Sequence, residues 1–291
     1  MIHFSSSRNA RLLALLLAGV CLCLSARADT VAVHTAGHLS LATLNLAHGR
    51  GTSINQMLTG KGQIRDNLER IGLLLRDRAV DVLALQEADQ ASLWSGRFDH
   101  VDFLAQSGAY PHAVAGAHAS SFLFSYGTAL LSRVPMEDTA SHAFAPSPPT
   151  LTKGYVRGRI NWNPNNRLSE PLRLMLVSLH LDFSRPSVRR AQIRELIDEL
   201  SDRDEMLVLM GDFNSKGEGP DSLIQQLCAA LNLKAYPGGE STYLGRAGGR
   251  LDWILIPERL DFLEHFTWEE TLSDHRLVLA RVTLPPLEQE R

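Results

Sequence analysis

Cysteine is nearly missing from this sequence: there are three in 291 residues, with Cys21 and Cys23 inside the first 28 and Cys228 alone beyond them. A disulfide framework is therefore excluded, and stability has to come from an apolar core, which 44% hydrophobic residues can supply. Long apolar runs are missing too. The one run, Leu12 to Leu24, falls short of the roughly 20 residues of a spanning helix. It is bracketed by Arg8 and Arg11 before and Ala26-Arg27-Ala28 after. A charged start, a short apolar middle and a small-residue exit predict a signal peptide over residues 1–28, cleaved after Ala28. A membrane anchor is disfavoured by length. Lipid attachment at Cys21 or Cys23 is disfavoured because neither follows a small residue. The expectation is an exported chain, periplasmic or secreted, with no stable membrane span after cleavage.

Basic tracts are also lacking. Loss of residues 1–28 removes three arginines and no acids, leaving 26 basic against 32 acidic residues. That balance disfavours broad, sequence-independent binding of nucleic acid, though a narrow basic groove stays open. No G-x-S-x-G elbow is present, and Gly60-Lys61-Gly62 lacks the spacing of a phosphate-binding P-loop. A serine hydrolase and a nucleotide-driven enzyme are thereby set aside. Without linkers, repeats or low-complexity tracts, residues 29–291 read as one domain, expected to be monomeric. Pro146-Ser147-Pro148-Pro149 is a loop.

What is present is an alternation of apolar stretches with polar, glycine-bearing connections. Strands are expected at Leu41–Leu46, Val82–Gln86, Thr128–Ser132, Tyr155–Trp162, Leu172–Leu181, Met206–Met210, Trp253–Ile256 and Leu277–Val282. Ile64, Leu68, Ile71 and Leu75 recur at helical spacing, as do Ile193, Leu196, Ile197 and Leu200 after Pro186, and a third helix is expected from about Asp221 to Leu231. Many strands with few helices suggest two sheets packed face to face with helices outside.

Polar residues collect at the ends of these strands. Asn45 closes the first and Gln86-Glu87 the second; His180 lies near the end of the long central strand. MLVLMGDFNS, from Met206, delivers Asp212 and Asn214 as its apolar run stops, Asp252 opens a strand, and Ser273-Asp274-His275 precede the last. Each alone has a plain structural explanation: a turn asparagine, a capping acid, a satisfied core histidine. Together they are hard to explain as independent turn residues, and strand ends are where a rigid sheet can present side chains to a cleft. Carboxylate and amide oxygens suit Mg²⁺ or Mn²⁺ better than Zn²⁺, which takes cysteine or closely spaced histidine. Cys228 falls in an apolar helix and looks structural, and His112 and His118, in an expected loop, are given no role. A hard cation, a water-orienting carboxylate and an imidazole suit phosphoester hydrolysis.

Leu44-Asn45, LALQEAD from Leu83, YGTALLSR from Tyr126, LVSLHLDF from Leu176, MGDFNS from Met210, RLDWIL from Arg250 and SDHRLV from Ser273 resemble the ordered motifs of the endonuclease/exonuclease/phosphatase superfamily, the DNase I-like proteins. The resemblance implies a four-layered α/β sandwich, two central mixed β-sheets flanked by helices, with an active site at one edge. It implies Glu87 as principal metal ligand, with Asn45 and Asp274 completing or flanking the site. Asp212 would orient or deprotonate water and Asn214 would help hold it. His180 would contact phosphate, and His275, oriented by Asp252, would stabilise developing charge. In TLTKGYVRGR from Thr150, Lys153, Tyr155, Arg157 and Arg159 are open candidates for a phosphate contact, since strand alternation sends neighbours to opposite faces.

The expected activity is a divalent-metal-dependent phosphodiesterase whose substrate is either nucleic acid or a phospholipid headgroup. A lipid enzyme calls for an exposed aromatic loop, for which Trp94 and Phe98 are candidates. A phosphomonoesterase on soluble sugar or inositol phosphates and an inactive binding module are the alternatives.

Overall fold

Alternation along the strands builds the molecule. A computed structural model describes residues 32–286 apart from 218, 220 and 221; the expected signal peptide, with Cys21 and Cys23, and the Asp221 end of the third helix lie outside the described residues. The elements are β1 (Val33–His34), β2 (Leu39–Asn45), α1 (Lys61–Asp77), β3 (Val82–Asp89), α2 (His100–Ser107), β4 (His112–Ser120), β5 (Ser125–Ser132), β6 (Glu137–Ala143), β7 (Gly154–Trp162), β8 (Leu172–His180), α3 (Pro186–Leu200), β9 (Met206–Asp212), α4 (Leu223–Leu231), β10 (Leu233–Ala235), β11 (Asp252–Pro257), β12 (Asp261–Thr267) and β13 (Val278–Thr283).

They form two mixed sheets. One has the order β12-β13-β2-β3-β5-β4, and the other β1-β7-β8-β9-β11-β10 with β6 also on β7. β2 and β3 are parallel, as are β8 and β9, and the remaining central pairs are antiparallel. Leu39, Leu41, Val82 and Ala84 of the first sheet meet Leu174, Leu176, Val208, Met210 and Ile254 of the second in a core between the sheets. The alternate positions face outward. Ala42, Leu44, Leu83 and Leu85 pack under α1 and α2, and Val177, Leu179, Leu207 and Leu209 pack under α3 and α4. Strands apolar on both faces thus require a helical layer on each outer surface, which yields the four-layered sandwich.

The helices are set by local chemistry. α1 buries Ile64, Leu68, Ile71 and Leu75 on one stripe. Pro186 stands in the first turn of α3, where its missing N–H is no loss. At α4 the Ser222 hydroxyl caps the Gln225 N–H at 3.2 Å, and Asn232 ends the helix in a left-handed conformation.

Several elements escape the apolar pattern. β4 (HAVAGAHAS) is built of small residues, so His112 and His118 lie on a strand and not in a loop. β6 (EDTASHA) is polar because it is an edge strand, and β12 (DFLEHFT) pairs on one side only, at the edge of its sheet. α2 is barely two turns long.

β9 continues past its apolar run through Gly211 to Asp212. Gly211 adopts φ +148°, and a Cβ there would meet the Leu179 carbonyl oxygen at 2.0 Å. Only glycine lets β8 and β9 stay paired up to the polar row. Gly211→Ala is accordingly expected to cost about 2–4 kcal/mol, read from chemical denaturation; a change below about 0.5 kcal/mol would show that the strand end yields freely.

Candidate active site

The parity that buries the central core continues to one sheet edge and there turns polar. On β8, Leu174 and Leu176 are followed on the same face by Ser178 and His180; on β9, Val208 and Met210 by Asp212; on β11, Ile254 and Ile256 are preceded by Asp252. Register aligns the three, since His180 pairs with Asp212 and Asp212 with Asp252. Opposite them, β2 ends at Asn45, beside Gln86 of β3. A buried ladder joins the two sheets just beneath. Gln86 Nε2 donates to Ser178 Oγ at 3.1 Å, and Ser178 Oγ donates to the Leu85 carbonyl at 2.9 Å.

Asp212 is the hub. Its Oδ2 accepts from Asn45 Nδ2 at 3.1 Å across the sheets, and its Oδ1 accepts from the Asn214 backbone N–H at 2.9 Å. His180 Nε2 lies 3.5 Å and His275 Nε2 3.9 Å from Oδ2. Asn214, at positive φ, closes an Asx turn on Asp212 and donates its own amide to the Leu181 carbonyl at 3.0 Å. Burial drives the Asp212 carboxyl upward, opposed by His275 and reinforced by Asp252.

His275 Nδ1 donates to Asp252 Oδ2 at 2.8 Å. Burial disfavours its protonated form, yet Asp252 and then Asp212 outweigh this and raise its pKa to about 10. The Leu251 and Asp252 N–H groups both donate to Thr242 Oγ1, which anchors that carboxylate's backbone. Ligand atoms of Asp212, Asp252 and His275 lie within 4.8 Å of one another, a spacing that would fit a metal. A histidine must be neutral to bind one, and Asp252 and Asp212 favour the protonated form of this ring. The trio is better described as an acid–base pair facing a carboxylate.

Glu87 occupies a β-bulge between Gln86 and Ala88 and takes φ +48°. The bulge re-aims its side chain while Gln86 keeps the inward position. Lys153 Nζ stands 3.7 Å from Oε1 and His48 Nε2 3.5 Å from Oε2. Burial opposes ionisation of Glu87, but Lys153 and then His48 lower its pKa to about 2. His48 Nδ1 in turn meets Asp89 Oδ1 at 3.0 Å, and Asp89 Oδ2 accepts from Trp94 Nε1 at 3.0 Å. Lys153, 6% exposed, also lies 3.4 Å from His180 Nδ1. Burial and then Lys153 hold His180 well below the usual imidazole range, so it is neutral. Asp274 Oδ2 accepts from Arg50 Nη2 at 2.6 Å. Glu87 and Asp274 supply carboxyl oxygens, and Asn45 Oδ1, which accepts from the Ala47 N–H at 3.0 Å, adds an amide oxygen. Such a set matches a hard divalent cation, and an acid held at about 2 is deprotonated and ready to bind one.

All eight residues singled out from the sequence, Asn45, Glu87, His180, Asp212, Asn214, Asp252, Asp274 and His275, thus stand at one edge of the sandwich. Of the four open candidates, Lys153 enters the site. Tyr155 packs in the helix-side core, and Arg159 pairs with Glu137, Asp138 and Glu205. His48, Asp89 and Arg50 were not anticipated; the signal available was their place in NLAHGR and QEAD, adjoining Asn45 and Glu87. His118 is buried near Lys153, with Nε2 2.8 Å from Thr128 Oγ1 and a pKa lowered to about 4 by burial and then Lys153. Trp94 stacks on Phe124 at 4.3 Å and Phe98 packs against the α1–α2 core, so neither is the exposed aromatic sought for a lipid enzyme. Volume alone would mislead: a cavity of about 780 Å³ beside Tyr236, His265 and Trp268 is lined by none of these residues.

A profile of the Endonuclease/Exonuclease/phosphatase family matches residues 42–275. Among solved structures, an endonuclease/exonuclease/phosphatase family protein from Leptotrichia buccalis C-1013-b is similar at a TM-score of 0.65 and 17% identity, over 84% of this chain and 100% of its own. The beta toxin of Staphylococcus aureus is similar at 0.59 and 17%, over 83% and 99%. A mannosyl-6-phosphatase from Bacteroides thetaiotaomicron VPI-5482 is similar at 0.57 and 13%, over 84% and 100%. Identities this low establish the fold alone. No curated protein matches the sequence. The family profile covers most of the chain, including every strand that carries the polar row, and on that ground the chain belongs to the endonuclease/exonuclease/phosphatase family of hydrolases acting on phosphoesters.

Proposed function

We propose that the protein is an exported phosphodiesterase that depends on Mg²⁺ or Mn²⁺. The observation that carries this reading is the setting of Asp212, held by an amide from the opposite sheet and facing an imidazolium that Asp252 keeps charged. Support for export is the leader-like composition of residues 1–28.

A cation held by Glu87 and Asp274, with Asn45 beside them, would polarise a phosphoryl oxygen and neutralise charge on the phosphate. The chain's own groups divide the rest. Asp212, with both oxygens aimed by Asn45 and Asn214, orients water for attack on phosphorus and takes its proton; its upward-shifted pKa makes it a stronger base than a solvated carboxylate. His275 presents Nε2–H to the charge that develops on phosphate or hands that proton to the leaving oxygen. Neutral His180 donates a hydrogen bond to a phosphate oxygen. Lys153 adds a fixed positive charge in a site largely closed to water. This division needs one carboxyl that is a stronger base than usual and one imidazole that is protonated at neutral pH, and the two upward shifts favour both.

Four outcomes test this. Hydrolysis of a soluble phosphodiester should stop with chelator and return with Mg²⁺, and Asp212→Ala should reduce it at least 10³-fold; activity surviving both treatments sinks the reading. Asp252→Asn should bring the His275 pKa from about 10 towards or below about 6.5, followed by NMR of the ring proton, with a rate loss of about 10²- to 10⁴-fold. The same pair sets a stability window. A raised histidine pKa stabilises the fold fully below about pH 6.5 and loses that contribution as pH rises through about 10. Melting temperature should decline over that range in the wild type, and the component should be missing from Asp252→Asn. Finally, Lys153→Met should lower kcat/KM about 10- to 100-fold; an unchanged value would assign the lysine to packing.

A further inference from the structure

The exposed apolar side chains are unevenly placed. Of twelve large ones exposed among the described residues, nine lie on loops at the strand ends that carry the catalytic row, and only Val33, Leu73 and Leu263 lie elsewhere. The densest group spans three loops. Residues 46–60 follow Asn45 of β2, residues 90–97 follow β3, and the β4–β5 turn reaches the same end because Tyr126 pairs with Asp89. The Leu93 and Trp94 N–H groups both donate to the Leu123 carbonyl, and the turn holding Leu58 packs on the turn holding Leu93. Leu58 is 86%, Phe122 85% and Leu93 45% exposed. Beneath them Trp94 packs on Phe124 and edge-on against His48, so the apolar tips are one layer away from the histidine beside Glu87. Phe183, 64% exposed on the loop after His180, stands on the other side of the cleft.

Charge on the same loops is of one sign. Residues 46–60, 90–97 and 121–124 contain no aspartate or glutamate, in a chain with 32 acids against 29 bases, and carry Arg50 and Arg97; Lys61 and Arg65 follow on the first two turns of α1, ahead of Asp66. Arg50 is engaged by Asp274, while Lys61, Arg65 and Arg97 are exposed, with the Lys61 side chain lying against Gly96. Exposed apolar tips on these three loops, which carry cations and no acids, match an interface with a negatively charged headgroup layer over an apolar interior. Nucleic acid would call for a longer basic strip than three side chains.

We propose that this rim docks the protein on an anionic phospholipid surface, and that the phosphodiester reaching the cleft is a lipid headgroup in that surface. The rim by itself argues for docking; the substrate assignment rests on the phosphodiesterase reading. The test uses residues 29–291, which contain the whole compact unit 32–291 and omit an apolar segment that would bind lipid by itself. Wild type and a Leu58→Ser/Leu93→Ser/Phe122→Ser variant are compared with Mg²⁺ present. Three readouts are taken: sedimentation with phosphatidylcholine vesicles with and without phosphatidylglycerol, headgroup release from those vesicles, and hydrolysis of a soluble phosphodiester. The expected result is wild-type binding that strengthens with phosphatidylglycerol and weakens with salt. The variant should lose binding and headgroup release at least ten-fold and keep soluble-ester hydrolysis within two-fold. Absent vesicle binding, or equal binding by the variant, overturns the docking surface, as would be expected of a rim that meets a protein. Rim-dependent binding with soluble-ester cleavage but no headgroup release overturns the substrate assignment. Rim-dependent binding with no hydrolysis of any ester upholds docking and overturns the phosphodiesterase reading.

Discussion

A single hydrogen bond between two sheets, from the Asn45 amide to the Asp212 carboxylate, sets the geometry on which the site depends. The two residues are 167 positions apart in sequence and share no strand, so the separation of their backbones is set by the distance between the sheets. Gln86 and Ser178 hold that distance from below, and the core of Leu41, Ala84, Leu176 and Met210 fills the space behind. A close-packed interior resists compression. The site is therefore as rigid as the sandwich, which suits a reaction whose acceleration rests on placement of charge.

Burial pushes both central carboxylates upward, yet they end on opposite sides of the usual carboxylate range. Asp212, closed in and flanked by Asp252, is pushed toward its neutral form, whereas Glu87, between Lys153 and His48, is pulled toward its anion despite burial. The contrast arises from which cations the fold places nearby. In the proposed reaction one acid has to exchange a proton and the other has to stay charged beneath a metal. A bulge on β3 and the loop before β7 produce that difference, since the first aims Glu87 and the second brings Lys153 to it.

Much of this was legible in the chain. Alternation in LRLMLVSLH and MLVLMGD identifies strands apolar on both faces, and the switch to His180 and Asp212 marks where each face leaves the core. The period of two then settles, once β7 is placed, why Tyr155 and Arg159 turn away from the cleft. Less could be read where the signal is local geometry. Small residues disguise β4, and the edge strands β6 and β12 escaped the apolar pattern. Lys153 stands just ahead of its strand, where alternation makes no statement about direction. His48 is placed by a turn with positive φ at Ala47 and His48, for which the sequence offers only a glycine at position 49.

The sequence by itself determined the layers, the strand ends and the types of oxygen and nitrogen offered there, because hydrophobic period and residue chemistry are local properties. The tertiary structure alone decided which of those groups share a carboxylate, which acid is held ionised, and that the exposed apolar tips of separate loops gather on the rim of one cleft. Those outcomes depend on register, sheet separation and the field of side chains distant in sequence, and a chain acquires them only when its sheets close on one another.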